Sequence, residues 1–149
     1  MDHPIVLDFA ETVEDLRSCY GLMHQLRPHL AGEDEFIERW QWQKASGYRL
    51  LRLLRDREPV ALAGFRLQEN LIHGLHLYVD DLVTDEKSRH SGYGQIIMNR
   101  LKEEVRQFCC GKLLLDTPLD NRLGHRFYYR EGLAITAFRF LVKIKVGEA

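Results

Sequence analysis

The sequence predicts a single-domain mixed α/β fold, a largely antiparallel sheet with a central parallel βαβ unit. Three observations carry that prediction. Short runs rich in Leu, Val and Phe, bounded by turn residues, have the length of strands. Apolar residues recur at three- and four-residue steps from Val13 to Met23 and again from Ile97 to Val105, as on one face of a helix. Leu82 to Asp116 reads as strand, glycine loop, helix and short apolar strand, the order of a parallel crossover.

The chain as a whole sets the bounds. Its 149 residues, 45% of them hydrophobic, suit one domain over residues 1–149 with a real core. Twenty-one Lys and Arg against twenty-two Asp and Glu, spread along the chain, argue against a nucleic-acid binder or a polybasic membrane anchor. The acidic start MDHPIVLDFAETVEDL lacks the basic and apolar regions of a secretory leader, and no apolar run has the length of a membrane span. Cys19, Cys109 and Cys110 are odd in number, two of them adjacent, which reads as reduced thiols in a cytoplasmic protein.

Taken in order, Ile5 to Phe9 is a first strand. Val13, Leu16, Tyr20 and Met23 mark a helix that ends before Pro28, and Asp34 to Lys44 marks a second, with Phe36, Ile37 and Trp40 inward. The loop Leu26 to Gly32 between them holds Arg27, Pro28 and His29. Tyr48 to Arg55 and Val60 to Gln68 form a hairpin about the turn Asp56-Arg57-Glu58-Pro59, with Arg49, Arg52 and Arg55 at solvent-facing or rim positions. A turn at Gln68-Glu69-Asn70 leads to a third run, Leu71 to Thr84. Its polar content is unusual: His73, His76, Tyr78, Asp80 and Asp81. Successive strand side chains point to opposite faces, so adjacent carboxylates require a bulged or splayed strand, or an Asp facing a wet cleft. A structural Asp bonded to a neighbouring loop is the competing explanation. The histidines and aspartates follow the spacing of an alternating strand with no second cluster beside them, so no metal site is assigned.

Arg89-His90-Ser91-Gly92-Tyr93-Gly94 then opens the helix carrying Ile97, Leu101, Val105 and Phe108. Glycines there allow a tight turn and close backbone approach, and the unpaired N–H groups of the first turn suit a phosphate or pyrophosphate. The spacing matches neither G-x-x-x-x-G-K-[ST] nor G-x-G-x-x-G. Lys112 to Asp116 is a short buried parallel strand, and Asn121 to Gly132 a short helix with an Asp or Asn start and a Gly stop. Last, Phe138, Phe140, Val142 and Ile144 alternate with Arg139, Lys143 and Lys145, a strand with one buried face.

The loop R-x-x-G-x-G between strand and helix resembles the acyl-CoA pyrophosphate loop of the GNAT superfamily of N-acetyltransferases. The later block N-x-x-x-x-x-F-Y-x-x-x-G, matched from Asn121 to Gly132, resembles the second half of that pattern. The resemblance covers roughly Leu75 to Ile144, and HRFYYREG followed by an aromatic strand is similar to bacterial small-molecule members of the aminoalkylphosphonate type. It implies a GNAT fold, the loop Leu26 to Gly32 as either a surface connection or a part of the acceptor pocket, acetyl-CoA as co-substrate, and transfer of an acetyl group to a primary amine, most simply that of a small molecule.

Position by position, the resemblance implies that Leu82 and Val83 pair by backbone with the pantetheine arm. Arg89, His90, Ser91, Gly92, Tyr93, Gly94 and Gln95 surround the pyrophosphate; Asn121 holds the thioester end; Phe127 and Arg130 line its path. Tyr128 matches the tyrosine that protonates the departing thiolate. Many members remove the amine proton, often through water, with a glutamate on the fourth strand; Asp81 first and Asp80 second stand there instead. Three further departures are the absence of a proline before Arg89, His90 in place of a frequent glycine, and Leu133 in place of a common phenylalanine after Gly132. An acidic pair favours a cationic acceptor, whereas the subfamily likeness favours an aminoalkylphosphonate. The rivals are a peptide or protein N-acetyltransferase and a non-catalytic acyl-CoA sensor. Pairing of family members through C-terminal strands implies a homodimer.

Overall fold

A computed structural model describes residues 4–147, and the chain divides into two compact units, Met1–Leu115 and Asp116–Ala149. The ends of the expected domain, and the first residues of the stretch read as lacking a leader, lie outside the described residues.

The first unit runs β1 (Ile5–Phe9), α1 (Val13–Leu26), α2 (Glu33–Ala45), β2 (Arg49–Arg55), β3 (Glu58–Asn70), β4 (Gly74–Thr84), a 3₁₀ turn (Glu86–Ser88), α3 (Tyr93–Gln107) and β5 (Leu113–Leu115). The five strands lie in sequence order, antiparallel from β1 to β4, and β5 joins parallel to β4. The β4–α3–β5 crossover is therefore present, with its parallel pair at one edge of the five strands.

Local sequence explains most boundaries. Thr12 accepts from the Asp15 N–H while the Asp15 carboxylate accepts from the Thr12 N–H, a reciprocal cap that starts α1. Leu16, Cys19, Leu22 and Met23 of α1 and Phe36, Ile37 and Trp40 of α2 then bury against Leu50, Leu62 and Val83 on one sheet face. Arg49, Phe65 and Phe9 lie on the other face, where Arg49 and Arg100 stack on Phe9 and Glu104 of α3 meets Arg49. Ile97, Met98 and Leu101 of α3 are fully buried.

Several expectations need correction. The β2–β3 turn is two residues, not four: Asp56 and Arg57 both have positive φ (50° and 69°), so Glu58 and Pro59 already belong to β3. The next turn falls after Asn70, whose side chain accepts from the N–H groups of Ile72 and His73; this leaves Leu71 and Ile72 exposed at the tip. Arg52 is not solvent-facing. Its side chain is 11% exposed and forks onto Asp8 at 2.8 and 2.9 Å, while Asp15 of α1 lies 3.5 Å away.

The second unit holds α4 (Arg122–Arg130). Asn121 caps its start by accepting from the Gly124 N–H at 3.1 Å, and Gly132 with φ +92° ends it. Leu133 N–H donates to the Tyr128 carbonyl and Gly132 N–H to that of Tyr129, the paired bonds of a glycine-terminated helix. Residues 133–147 form no strand, contrary to the alternating pattern, and Phe138, Phe140, Val142 and Ile144 are exposed. Alternation says which side chains would share a face, but a strand exists only when its backbone groups find a ladder partner.

Candidate functional site

A bulge in β4 builds the centre of the site. Gly64 lies opposite Asp81 and Phe65 opposite Val79, so Asp80 is the extra residue. A bulge lets two consecutive side chains leave the same face. Their partners show that both do, toward the side covered by α1 and α2. Asp80 takes a two-pronged bond from Arg66 of β3, Nε to Oδ2 at 2.9 Å and Nη2 to Oδ1 at 2.7 Å. Asp81 accepts from Arg27 Nε at Oδ1, 3.0 Å, and from the Tyr48 hydroxyl at Oδ2, 2.8 Å. Arg27 Nη2 also donates to the Asp80 carbonyl at 2.8 Å. The side chains of Asp81 and Asp80 are 15% and 18% exposed, and two guanidinium charges balance the two carboxylates. The strand is thus bulged, one of the expected alternatives, and Asp81 also accepts from Arg27 of the loop after α1, as the competing explanation of a loop-bonded Asp expects.

Tyr48 is fully enclosed. Burial first, then the Asp81 carboxylate, push its phenol well above the ordinary value, so it stays a donor. Opposite it, a Cβ on Gly64 would lie 1.8 Å from the Tyr48 hydroxyl oxygen, which explains a glycine in mid-strand.

Beyond the bulge the strand edge opens. β5 pairs with β4 only at Leu77, Tyr78 and Val79. Leu82 and Val83 pair with Ala63 and Leu62 on their β3 side, and no described strand covers their other side. Such an edge can accept an extended ligand by main-chain bonds, which fits the pantetheine arm of an acyl-CoA.

The glycine loop follows directly. Gln25 of α1 clamps its start, donating to Asp85 at 3.2 Å and accepting from the Glu86 N–H at 3.1 Å. Arg89, His90, Ser91 and Gly92 are exposed; His90 (φ 71°) and Gly92 (φ 81°) both adopt left-handed backbone. The left-handed backbone at residue 90 favours glycine, and His90 meets it with strain. No side chain caps α3, and its first backbone bond runs from Ile96 N–H to the Gly92 carbonyl. The N–H groups of Tyr93, Gly94 and Gln95 therefore stand ahead of that bond at the positive end of the helix dipole, a fit for pyrophosphate. The Tyr93 ring is buried, its hydroxyl accepting from Arg55 at 2.9 Å, so only its backbone is available to a ligand.

In the second unit Asn121 is already engaged, its Nδ2 donating to Thr117 at 3.0 Å while Oδ1 caps α4. A Cβ on Gly124 would lie 2.3 Å from that Nδ2, so a larger residue there would displace the Asn121 side chain from its cap. Phe127 packs edge-on to Tyr128 with ring centroids 5.6 Å apart, and Arg130 stacks on Phe127 at 5.7 Å. Burial pushes the Tyr128 phenol up, which keeps its proton on through neutral pH.

Sequence reasoning missed Tyr48, Gly64 and Arg66, the residues that surround the aspartates. The signals were faint but present: a glycine inside an apolar strand run, and an arginine two residues on, sharing its face.

Comparison with known proteins places this architecture. Residues 10–133 match the model of the Acetyltransferase (GNAT) family. An uncharacterized N-acetyltransferase, YhdJ of Bacillus subtilis, is 30% identical over 130 residues, covering 85% of this chain and 90% of that protein. The aminoalkylphosphonate N-acetyltransferase of Salmonella typhimurium is 29% identical over 133 residues, covering 87% and 85%. Among solved structures, the aminoglycoside N-acetyltransferase AAC(6')-Iy in complex with CoA superimposes with a TM-score of 0.84 over 98% of both chains at 12% identity.

Proposed function

The chain belongs to the GNAT acetyltransferase family, N-acetyltransferases that use acetyl-CoA, and on that premise we propose that it transfers the acetyl group directly to the primary amine of a small molecule. The reading takes residues 1–149 as one acetyltransferase domain. Acetyl-CoA supplies the acyl group as an activated thioester. The uncapped start of α3 and the loop Arg89 to Gln95 bind its pyrophosphate, and the backbone of Leu82 and Val83 binds its pantetheine arm. Asp81 accepts, through an intervening water, the proton that the amine must lose, and Tyr128 donates one to the departing sulfur. Asp80 is the second choice, since Arg66 occupies both of its oxygens. Asn121, Phe127 and Arg130 serve the cofactor end.

The observation that carries this reading is the bulge at Asp80, which turns Asp81 toward the covered face at the point where the edge of β4 becomes free. Initial-rate kinetics test it. Direct transfer gives intersecting double-reciprocal lines for acetyl-CoA and amine, whereas parallel lines would require a covalent acetyl-enzyme.

The charge balance refines the acceptor. An unpaired acidic pair would attract a polycation, but Arg27 and Arg66 offset Asp81 and Asp80. That supports a zwitterionic amine, such as the aminoalkylphosphonate in the name of the Salmonella relative, over a polyamine or aminoglycoside. A cytoplasmic setting is proposed on the three free thiols. A homodimer is proposed on the exposed apolar residues Phe138, Phe140, Val142 and Ile144, and light scattering that gives a monomer mass at every concentration would end it.

A further inference from the structure

We infer that Tyr48 and Arg27 are positioning residues for the reaction, fixing the Asp81 carboxylate from its two oxygens; this rests on the reading of Asp81 as the proton acceptor. A carboxylate offers about four lone-pair sites. Arg27 Nε donates to Oδ1 at 3.0 Å with Nη2 in ion-pair contact at 2.9 Å, and the Tyr48 hydroxyl donates to Oδ2 at 2.8 Å. With both oxygens gripped the carboxylate plane is fixed, so an incoming proton meets lone pairs of set direction. Without those donors the short side chain could rotate about both its bonds.

The surroundings are arranged for this grip. Gly64 stands in register directly opposite Asp81 and is the one residue there whose lack of a side chain admits the Tyr48 ring. Tyr48 precedes β2, and Arg27 follows α1, so two separate elements converge on one carboxylate. The charged and titratable groups facing Asp81 are Arg27, Tyr48 and the neighbouring Asp80, itself held by Arg66. Arg27 is 39% exposed and reaches the pair from the loop side, whereas Tyr48 is sealed beneath it. A misplacement of about 1 Å of a reacting group can cost roughly 100-fold in rate, so such an orienting pair has kinetic weight.

The test measures kcat, KM for both substrates and the pH dependence of kcat for the parent, Asp81→Asn, Tyr48→Phe and Arg27→Lys, with thermal melts for each. Asp81→Asn is expected to lose about 100-fold or more in kcat. Tyr48→Phe is expected to keep the KM for acetyl-CoA and lose roughly 10-fold to 100-fold in kcat. Arg27→Lys, at a part-exposed position, should behave in the same direction and covers the case in which Tyr48→Phe does not fold. If Asp81→Asn is crippled while folded Tyr48→Phe and Arg27→Lys keep the parental kcat and pH profile, the positioning role is overturned and the base assignment stands. If Asp81→Asn itself retains parental kcat and profile, both fall.

Discussion

Gly64 and Tyr48 are fitted to one another: a Cβ on Gly64 would lie 1.8 Å from the Tyr48 hydroxyl oxygen and 2.4 Å from the ring carbon that carries it. The ring is buried and its neighbours on β2 and β3 are packed strand residues, so neither side can yield cheaply. Gly64→Ala is expected to destabilise the protein by about 3 kcal/mol, read as a drop in the denaturant midpoint. In a Tyr48→Ala background the same change should cost far less. An equal cost in both backgrounds would mean that the ring is not what excludes the side chain.

This pair also marks where sequence reading reached its end. The order of elements as far as α4, the inward residues Phe36, Ile37 and Trp40, an Asp or Asn start and the Gly132 stop of α4, and a bulge as one of the ways to accommodate Asp80 and Asp81 were legible. These follow from local periodicity and turn chemistry. What surrounds the aspartates was not legible, because Arg27, Tyr48 and Arg66 lie 54, 33 and 14 residues away from the carboxylates they hold. Alternation from Phe138 onward suggested a strand, but periodicity carries no information about whether a ladder partner exists.

The start of α3 gives a binding prediction. Gly92 has φ 81° and no side-chain neighbour within 4 Å, so Gly92→Ala is folded but strained by about 1 kcal/mol. Relief of that strain re-aims the N–H groups of Tyr93, Gly94 and Gln95. Calorimetry should show acetyl-CoA affinity falling about tenfold, in line with the loss of one or two charge-assisted bonds. Unchanged affinity would detach this loop from the pyrophosphate.

Tyr128 keeps its proton at neutral pH, as burial dictates. Tyr128→Phe is expected to lower kcat by about 100-fold while leaving acetyl-CoA binding intact. The substitution removes the hydroxyl alone, so the edge-on packing with Phe127 remains as a control on folding. A parental kcat would remove Tyr128 from the reaction.

Cys19 links the core to pH. Burial raises its thiol from 9.0 to about 11. Below pH 9 both folded and unfolded chains keep the proton and its burial costs nothing extra. As pH rises from 9 toward 11, the unfolded chain loses the proton first, so stability falls, by about 2 kcal/mol at most. Cys19→Ala should flatten that alkaline decline in a series of denaturant melts. In the native protein, an alkylating reagent at pH 8 should label exposed Cys109 and spare Cys19 until the chain unfolds.

The most direct test of the account is mass spectrometry of the products formed from acetyl-CoA and a panel of small amines that includes an aminoalkylphosphonate, a polyamine, an aminoglycoside and a short peptide. An N-acetylated small amine formed in equal amount with free CoA is expected, fastest for the zwitterionic acceptor. Acetylation of the peptide alone would contradict the acceptor class, and acetyl-CoA bound without acetylation of any amine would contradict the transferase itself.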